Sequence, residues 1–283
     1  TGGGSAGGGG SSCVLGPFGA PTALASVNMS SADWDPAVTA NERMLYFASG
    51  RSGGVGGFDI WVASRGTTAD PFGTPTNVAE LNTASSDGDP EISSGGLTIW
   101  FSSTRSGGSG GYDLYRATRA SITEAFGAPE LITELSTSSD DRDPSLTPDR
   151  LTIYFASNRS GGAGGLDIWM ASRATAADAF GAPVNVTELN TADREANPEI
   201  AADGLTVYFD SDRAGGVGLD DLHVATRTAL AEPFANIQNL TALNTTSDDG
   251  DAELSADGLT LYFGSARPDD GDGDLYVSSR TCQ

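Results

Sequence analysis

The sequence predicts an all-β ring of five blades, a β-propeller with four antiparallel strands in each, and three observations carry that expectation. Residues 46–65, YFASGRSGGVGGFDIWVASR, return as WFSSTRSGGSGGYDLYRATR, YFASNRSGGAGGLDIWMASR, YFDSDRAGGVGLDDLHVATR and, one residue shorter, YFGSARPDDGDGDLYVSSR. The register holds on single residues: Arg51, Arg105, Arg159, Arg213 and Arg267 step by 54, as do Phe18, Phe72, Phe126, Phe180 and Phe234. Self-similarity at such a period marks a repeat architecture. Within each repeat, short segments rich in β-branched and aromatic residues alternate with Gly, Pro, Asn, Asp and Ser clusters, and helical periodicity is absent.

In the second repeat the strands are expected at residues 75–81, 90–93, 97–102 and 113–118. Ser94-Gly95-Gly96, matched by Ala202-Asp203-Gly204 and Ala256-Asp257-Gly258, reads as a tight hairpin turn with glycine where positive φ is wanted. The chain begins with an outer-strand segment, residues 18–27, and ends on the third strand of the fifth repeat. The N-terminal strand is therefore expected to complete the last blade, whereas an open solenoid would expose two sheet edges. Cys13 and Cys282 both fall on the repeat phase of Ala229, so closure is expected to join them in a disulfide, which implies an oxidising compartment. Residues 1–16, Gly/Ser-rich through position 12, read as a flexible tether, and residues 17–283 as one propeller domain.

Acidic residues number 38 against 15 basic ones, all arginine, for a net charge of −23. That balance excludes nucleic acid as a partner, because affinity for phosphates needs clustered positive charge. No apolar run approaches the roughly 20 residues of a membrane span. The acidity serves either solubility or cation binding.

The pattern D-P-x-I/L-S-x-D-G-L-T-x-Y-F-x-S-x-R-x-G-G-x-G-G-x-D-I/L-Y/W, running through residues 17–280, resembles the TolB-type, WD40-like β-propeller repeat of bacterial envelope and secreted proteins. The resemblance implies that the D-P-x-I segment is the innermost strand, L-T-x-Y-F the second, D-I-W the third and the segment after F-G the outermost. It also implies a periplasmic, outer-membrane-anchored or secreted protein, with the Gly/Ser tract behind a cleaved or lipid-modified N-terminus; an expression scar would look the same.

Strand alternation puts the Asp-x-Asp-Pro and Ser-x-Arg-x-Gly-Gly loops on one face. There Asp33, Asp87, Asp141, Glu195 and Asp249, and the set Asp35, Asp89, Asp143, Asn197 and Asp251, meet Arg51, Arg105, Arg159, Arg213 and Arg267, together with the Gly-loop acids Asp59, Asp113, Asp167, Asp221 and Asp274. Two readings stay open for residues repeated in every blade: pins that hold loop to loop, or ligand contacts. Positions where the repeats disagree are the better functional candidates. Trp34 stands where Gly88, Arg142, Ala196 and Gly250 stand, to stack on a sugar or peptide or to pack on its own loop. Glu91, Glu199 and Glu253 replace Ala37 and Ser145; the fourth repeat adds Asp210, Asp212 and Asp220. The fifth Gly loop offers Asp269, Asp270, Asp272 and Asp274, hard oxygen ligands suited to Ca²⁺. His223, the only histidine, reads as a packed strand residue, so histidine-based metal catalysis and a Ser-His-Asp triad are not expected. The glycine loops lack the following helix of a dinucleotide site or P-loop.

The function expected is a non-catalytic envelope or secreted binding module, monomeric, needing no cofactor beyond an optional Ca²⁺, that recognises a glycan, peptide or protein on the charged face. The alternatives are a glycoside hydrolase resembling five-bladed arabinanase-like enzymes, with Glu91, Glu199 and Glu253 around the central depression, and a structural spacer.

Overall fold

The computed structural model describes residues 14–267 and 273–282. Their regular elements are strands alone, in five four-stranded antiparallel sheets. The first blade runs from its inner strand Asp33–Val38 through Met44–Ser49 and Asp59–Ser64 to an outer strand Thr76–Asn77. Later blades start at inner strands Asp87–Ile92, Asp141–Leu146, Glu195–Ile200 and Asp249–Leu254. The fifth is completed by the N-terminal strand Thr22–Ala23, which pairs with Asp274–Ser279 through Thr22↔Val277 and Ala23↔Tyr276. This is a closed five-bladed β-propeller with the expected strand order.

Two boundaries differ from the sequence expectation. The outer strand expected over residues 75–81 is only Thr76–Asn77, because the Val78 amide donates to the Ile60 carbonyl and the Leu81 amide to that of Val78, turning the chain inward to bury Val78 and Leu81. The inner strand starts earlier, at Asp87, and is broken by a bulge between Gly88 and Glu91. Every blade repeats that bulge, and its third residue is left-handed: Asp35, Asp89, Asp143, Asn197 and Asp251 have φ of 54°, 50°, 56°, 48° and 54°. Asp and Asn tolerate this region best among residues with a side chain, which explains why asparagine is the one substitute.

Packing between blades is built from the Tyr-Phe pair of the second strand. Successive side chains on a strand point to opposite faces. Tyr46 therefore packs toward the second blade with Phe101, and Phe47 toward the fifth with Tyr262. The same pairing joins Trp100 to Phe155, Tyr154 to Phe209 and Tyr208 to Phe263. The seam between fifth and first blades is thus packed like every other boundary.

Two arginine sets hold the blades. Arg105 donates to Asp87, to the Ser103 hydroxyl at 2.8 Å and to the Leu81 carbonyl at 2.6 Å, tying the incoming connection to the first two strands of its own blade. Arg51, Arg159, Arg213 and Arg267 do the same with Asp33, Asp141, Glu195 and Asp249. The blade-to-blade tie belongs to a second set: Arg119 donates to the Tyr46 hydroxyl at 2.8 Å, Arg65 to Tyr262 at 2.9 Å and Arg227 to Tyr154 at 3.3 Å. Each also lies over a phenylalanine ring: Phe126, Phe72 and Phe234.

Candidate binding mouths of the axial channel

The five inner strands surround a channel with a wide mouth at each end and a waist of about 40 Å³ between them. Because the bulge residue and the residue two places later both face the axis, each blade contributes to both ends.

On the charged side, Asp35, Asp89, Asp143, Asn197 and Asp251 surround the axis, and three of the five neighbouring pairs are linked carboxylate to backbone amide, the Asp143 and Asp251 amides turning instead to Ser102 and Asp210. Asp35 Oδ2 accepts the Asp89 amide at 3.1 Å, Asp251 Oδ2 accepts the Asp35 amide at 3.4 Å, and Asp143 Oδ2 accepts the Asn197 amide at 3.2 Å. Burial, reinforced by the charge of Asp251, pushes the Asp35 carboxyl up to about 8. Burial also raises Asp89 and Asp143 to about 6, against the opposing pull of Arg142. Above this ring opens a cavity of about 320 Å³ lined by Trp34, Phe58, Tyr112, Arg142, Arg194, Asp210, Asp220 and Asp248. Arg194 spans Asp210 and Asp220 at 2.5 and 2.8 Å; Arg142 spans Asp143 and Asp89 at 2.7 and 3.3 Å and lies 5.0 Å from the Tyr112 ring centre.

Trp34 does not pack on its own loop. Its indole crosses to the fifth blade and lies over Gly264 and Gly273, where a Cβ would come within 2.3 Å and 2.2 Å of the ring. Other blades carry Ala48, Ser102, Ala156 and Asp210, or Phe58, Tyr112, Leu166 and Asp220, at those two phases. The side chains missing from the fifth blade make the seat for the ring.

On the opposite side, a cavity of about 330 Å³ opens among the hairpin turns and has Glu91, Glu199 and Glu253 at its floor. Their carboxylate oxygens lie within 4.8 Å of one another, a donor set that can hold a metal ion. Each also accepts an amide of the next blade in the ring: Leu146 at 3.2 Å for Glu91, Leu254 at 3.4 Å for Glu199 and Val38 at 2.7 Å for Glu253. Ser145 completes the series by accepting the Ile200 amide at 3.0 Å while donating to Glu199 at 2.8 Å. Burial raises Glu199 to about 7; burial and the neighbouring carboxylates raise Glu91 and Glu253 well above the ordinary range.

The remaining candidates fall elsewhere. Arg51, Arg105, Arg159, Arg213 and Arg267 are bonded inside their blades, away from either mouth. The Gly-loop amides are taken by the chain's own acids, as Val55 and Gly56 are by Asp59 at 2.8 and 3.2 Å. Asp274 opens the last strand and is buried, while Asp269, Asp270 and Asp272 lie outside the described residues, as does Cys13. Cys282 pairs with Leu15 in an isolated bridge, so the two ends of the chain do meet at the seam, beside the Gly258 turn on the side away from the charged mouth. His223 is buried and stacked on Phe209, 5.5 Å between ring centres, with Nδ1 at 2.8 Å from the Asp221 carbonyl. Arg194 and Tyr112 escaped the sequence reading although the signal was there: both occupy phases where the blades disagree, Ser86/Asp140/Arg194/Asp248 and Phe58/Tyr112/Leu166/Asp220.

No protein-family model and no curated protein matches the chain. Among solved structures it is similar to TolB from Acinetobacter baumannii, with 16% identity and a TM-score of 0.54 over 89% of this chain and 55% of that one. The fold is a TolB-like β-propeller. This TolB-like propeller spans only about 55% of the length of that TolB. It is also similar, with higher TM-scores, to the endo-arabinase from Bacteroides thetaiotaomicron VPI-5482, at 14% identity and a TM-score of 0.61 over 90% of this chain and 96% of that one, and to the RS223 β-xylosidase, at 15% and 0.60 over 93% and 97%. Such likeness is one of fold, and a fold of this kind hosts unrelated functions. Among the described residues no helix is long and apolar enough to cross a membrane.

Proposed function

We propose that the protein is a non-catalytic binding module whose ligand, a glycan, peptide or protein, docks at the charged mouth. One observation carries the reading: residues that break the repeat, Trp34, Tyr112, Arg142, Arg194, Asp210 and Asp220, line a single cavity, whereas the repeated arginines are consumed by internal bonds. Residues required by every blade do structural work; those that one blade alone carries are available for recognition. Binding of the purified protein to glycan and peptide arrays, with Trp34→Ala beside it, tests this. The variant is expected to lose at least tenfold in affinity with its melting temperature within about 2 °C.

Glycoside hydrolysis is the second reading, favoured by the fold likeness to the endo-arabinase and the β-xylosidase. Against it, the Glu91, Glu199 and Glu253 oxygens lie within 4.8 Å and each carboxylate is engaged by a neighbouring blade's backbone. Carboxyl pairs of glycosidases stand about 5–5.5 Å apart for retention and about 6.5–9.5 Å for inversion. Release of sugar from arabinan or xylan, abolished by Glu199→Gln, would replace the binding reading. A protein that binds nothing and cleaves nothing would be a spacer.

In this reading the module works in the periplasm, on the outer membrane or outside the cell, as a monomer held by residues 1–16. The Leu15–Cys282 bridge supports a Cys13–Cys282 disulfide, which non-reducing mass measurement tests. Calcium would bind at residues 269–274 or at the glutamate triad, and a chelator would then lower the melting temperature.

A further inference from the structure

The charged mouth holds more carboxylate than its own arginines answer. Arg194 serves Asp210 and Asp220, and Arg142 serves Asp89 and Asp143. Neither forms an ion pair with Asp35 or Asp251, whose Oδ2 atoms accept backbone amides of a neighbouring blade, and the Asp35 and Asp89 carboxyls face one another. Asp89 is 7% exposed, stands in the wall of both the waist and the mouth, and its Oδ2 has no hydrogen-bond partner. A buried carboxylate oxygen left without a donor is costly, and a donor arriving with positive charge removes that cost most effectively.

The mouth also shows which cation suits it. Arg142 lies over Tyr112 while donating to Asp89, a guanidinium held between an aromatic face and a carboxylate. Trp34, seated on Gly264 and Gly273 and next in sequence to Asp35, offers a second aromatic face beside carboxylates, and among the described residues no guanidinium of this chain lies over it. Indole is the strongest of the aromatic partners for a cation, and a planar guanidinium both stacks on it and donates sideways to carboxylates. A cavity of about 320 Å³ has the size of a side-chain or small-ligand pocket, far larger than a bare metal ion needs. The geometry points to an arginine side chain of a partner peptide as the group this mouth receives, its guanidinium stacked on Trp34 and donating to Asp89 and Asp35.

The inference rests on the binding reading and narrows its ligand. The test is NMR titration of the Trp34 indole N–H with acetyl-Gly-Arg-Gly-amide, with the citrulline peptide, the neutral isostere, as control. Saturable one-to-one binding of the arginine peptide is expected, at least tenfold weaker for citrulline and at least tenfold weaker in Asp89→Asn and, by calorimetry, in Trp34→Leu. A melting curve for each variant separates lost recognition from lost folding, and if Asp89→Asn unfolds, Trp34→Leu decides. Equal binding of the citrulline peptide, or none of either, overturns the inference. So does CaCl₂ that displaces the peptide and loses its own binding in Asp89→Asn, for the mouth would then be a metal site. A glycan that binds and is lost in Trp34→Leu, with no arginine binding, overturns this inference and leaves the binding module standing. Failure of every ligand at the mouth removes both.

Discussion

The two mouths of the channel are made by the same five strands, from residues two places apart, yet they neutralise charge by different means. On the charged side, carboxylates of the left-handed bulge meet Arg142, and Asp210 and Asp220 meet Arg194. On the turn side Glu91, Glu199 and Glu253 meet no guanidinium; their donors are amides of the next blade and, for Glu199, the Ser145 hydroxyl, and beyond these they face one another. Two arginines that occur once each therefore separate a polar mouth with aromatic walls from a triad that must either keep protons or take a cation. In a repeat protein the scaffold's symmetry fixes where side chains point, and single departures from the repeat decide what the site is.

The largest effect is expected from the repeated pins, which belong to neither mouth. Arg105→Ala leaves Asp87 buried and unpaired and should cost about 3 kcal/mol in denaturant unfolding. Arg119→Ala, which breaks a blade-to-blade bond to Tyr46 but strands no charge, should cost about 1 kcal/mol. If the two cost the same, the distinction between pins within a blade and ties across blades is wrong.

The turn-side mouth should respond in the opposite sense. Glu199→Gln removes one of three crowded carboxylates and should stabilise the protein at pH 8 by about 1–3 kcal/mol, with no gain near pH 4, where the native carboxyl is already protonated. The wild type should show the same sign. A carboxyl whose native pKa is raised holds more protons folded than unfolded, so its stabilising contribution is present at low pH and is lost as pH rises. For Glu199 that loss runs from about 4.5 to about 7, and for Asp35 from 3.8 to about 8. Metal-free protein should therefore melt higher at pH 5 than at pH 8, and CaCl₂ at pH 8 should restore the difference if the triad binds it. A melting temperature that climbs between pH 5 and 8 in chelator would contradict the raised carboxyls.

The smallest effects on stability, and the sharpest on recognition, are expected at the indole seat. Gly264→Ala places a methyl 2.3 Å from Trp34 Cε3, so the ring must move; the cost should be about 1 kcal/mol, with ligand affinity lost. Trp34→Ala should change stability by less than about 0.5 kcal/mol and lose the ligand equally. Full affinity in Gly264→Ala would mean that the position of the indole does not matter for binding.

The repeat by itself determined the number of blades, the closure by the N-terminal strand and the faces on which the loops open, each from a period of 54 residues and strand alternation, which are properties of the chain. The order of strands within a blade came from the resemblance to the TolB-type repeat. That the repeated arginines and repeated acids share one face was legible for the same reason, because a job done in every blade leaves five copies of its signature, whereas the choice of Asp33 and its equivalents over the other two acidic sets as their partners came from the structure. The sequence also marked Trp34 and the three glutamates as departures from the repeat. What it did not carry is which departures meet: Trp34 of the first blade with Gly264 and Gly273 of the fifth, Arg194 with Asp210 and Asp220, and Glu253 with the backbone of Val38, 215 residues away. Ring closure sets those distances, and only the tertiary structure brings the axial residues of all five blades to one line, where burial and mutual repulsion decide their protonation.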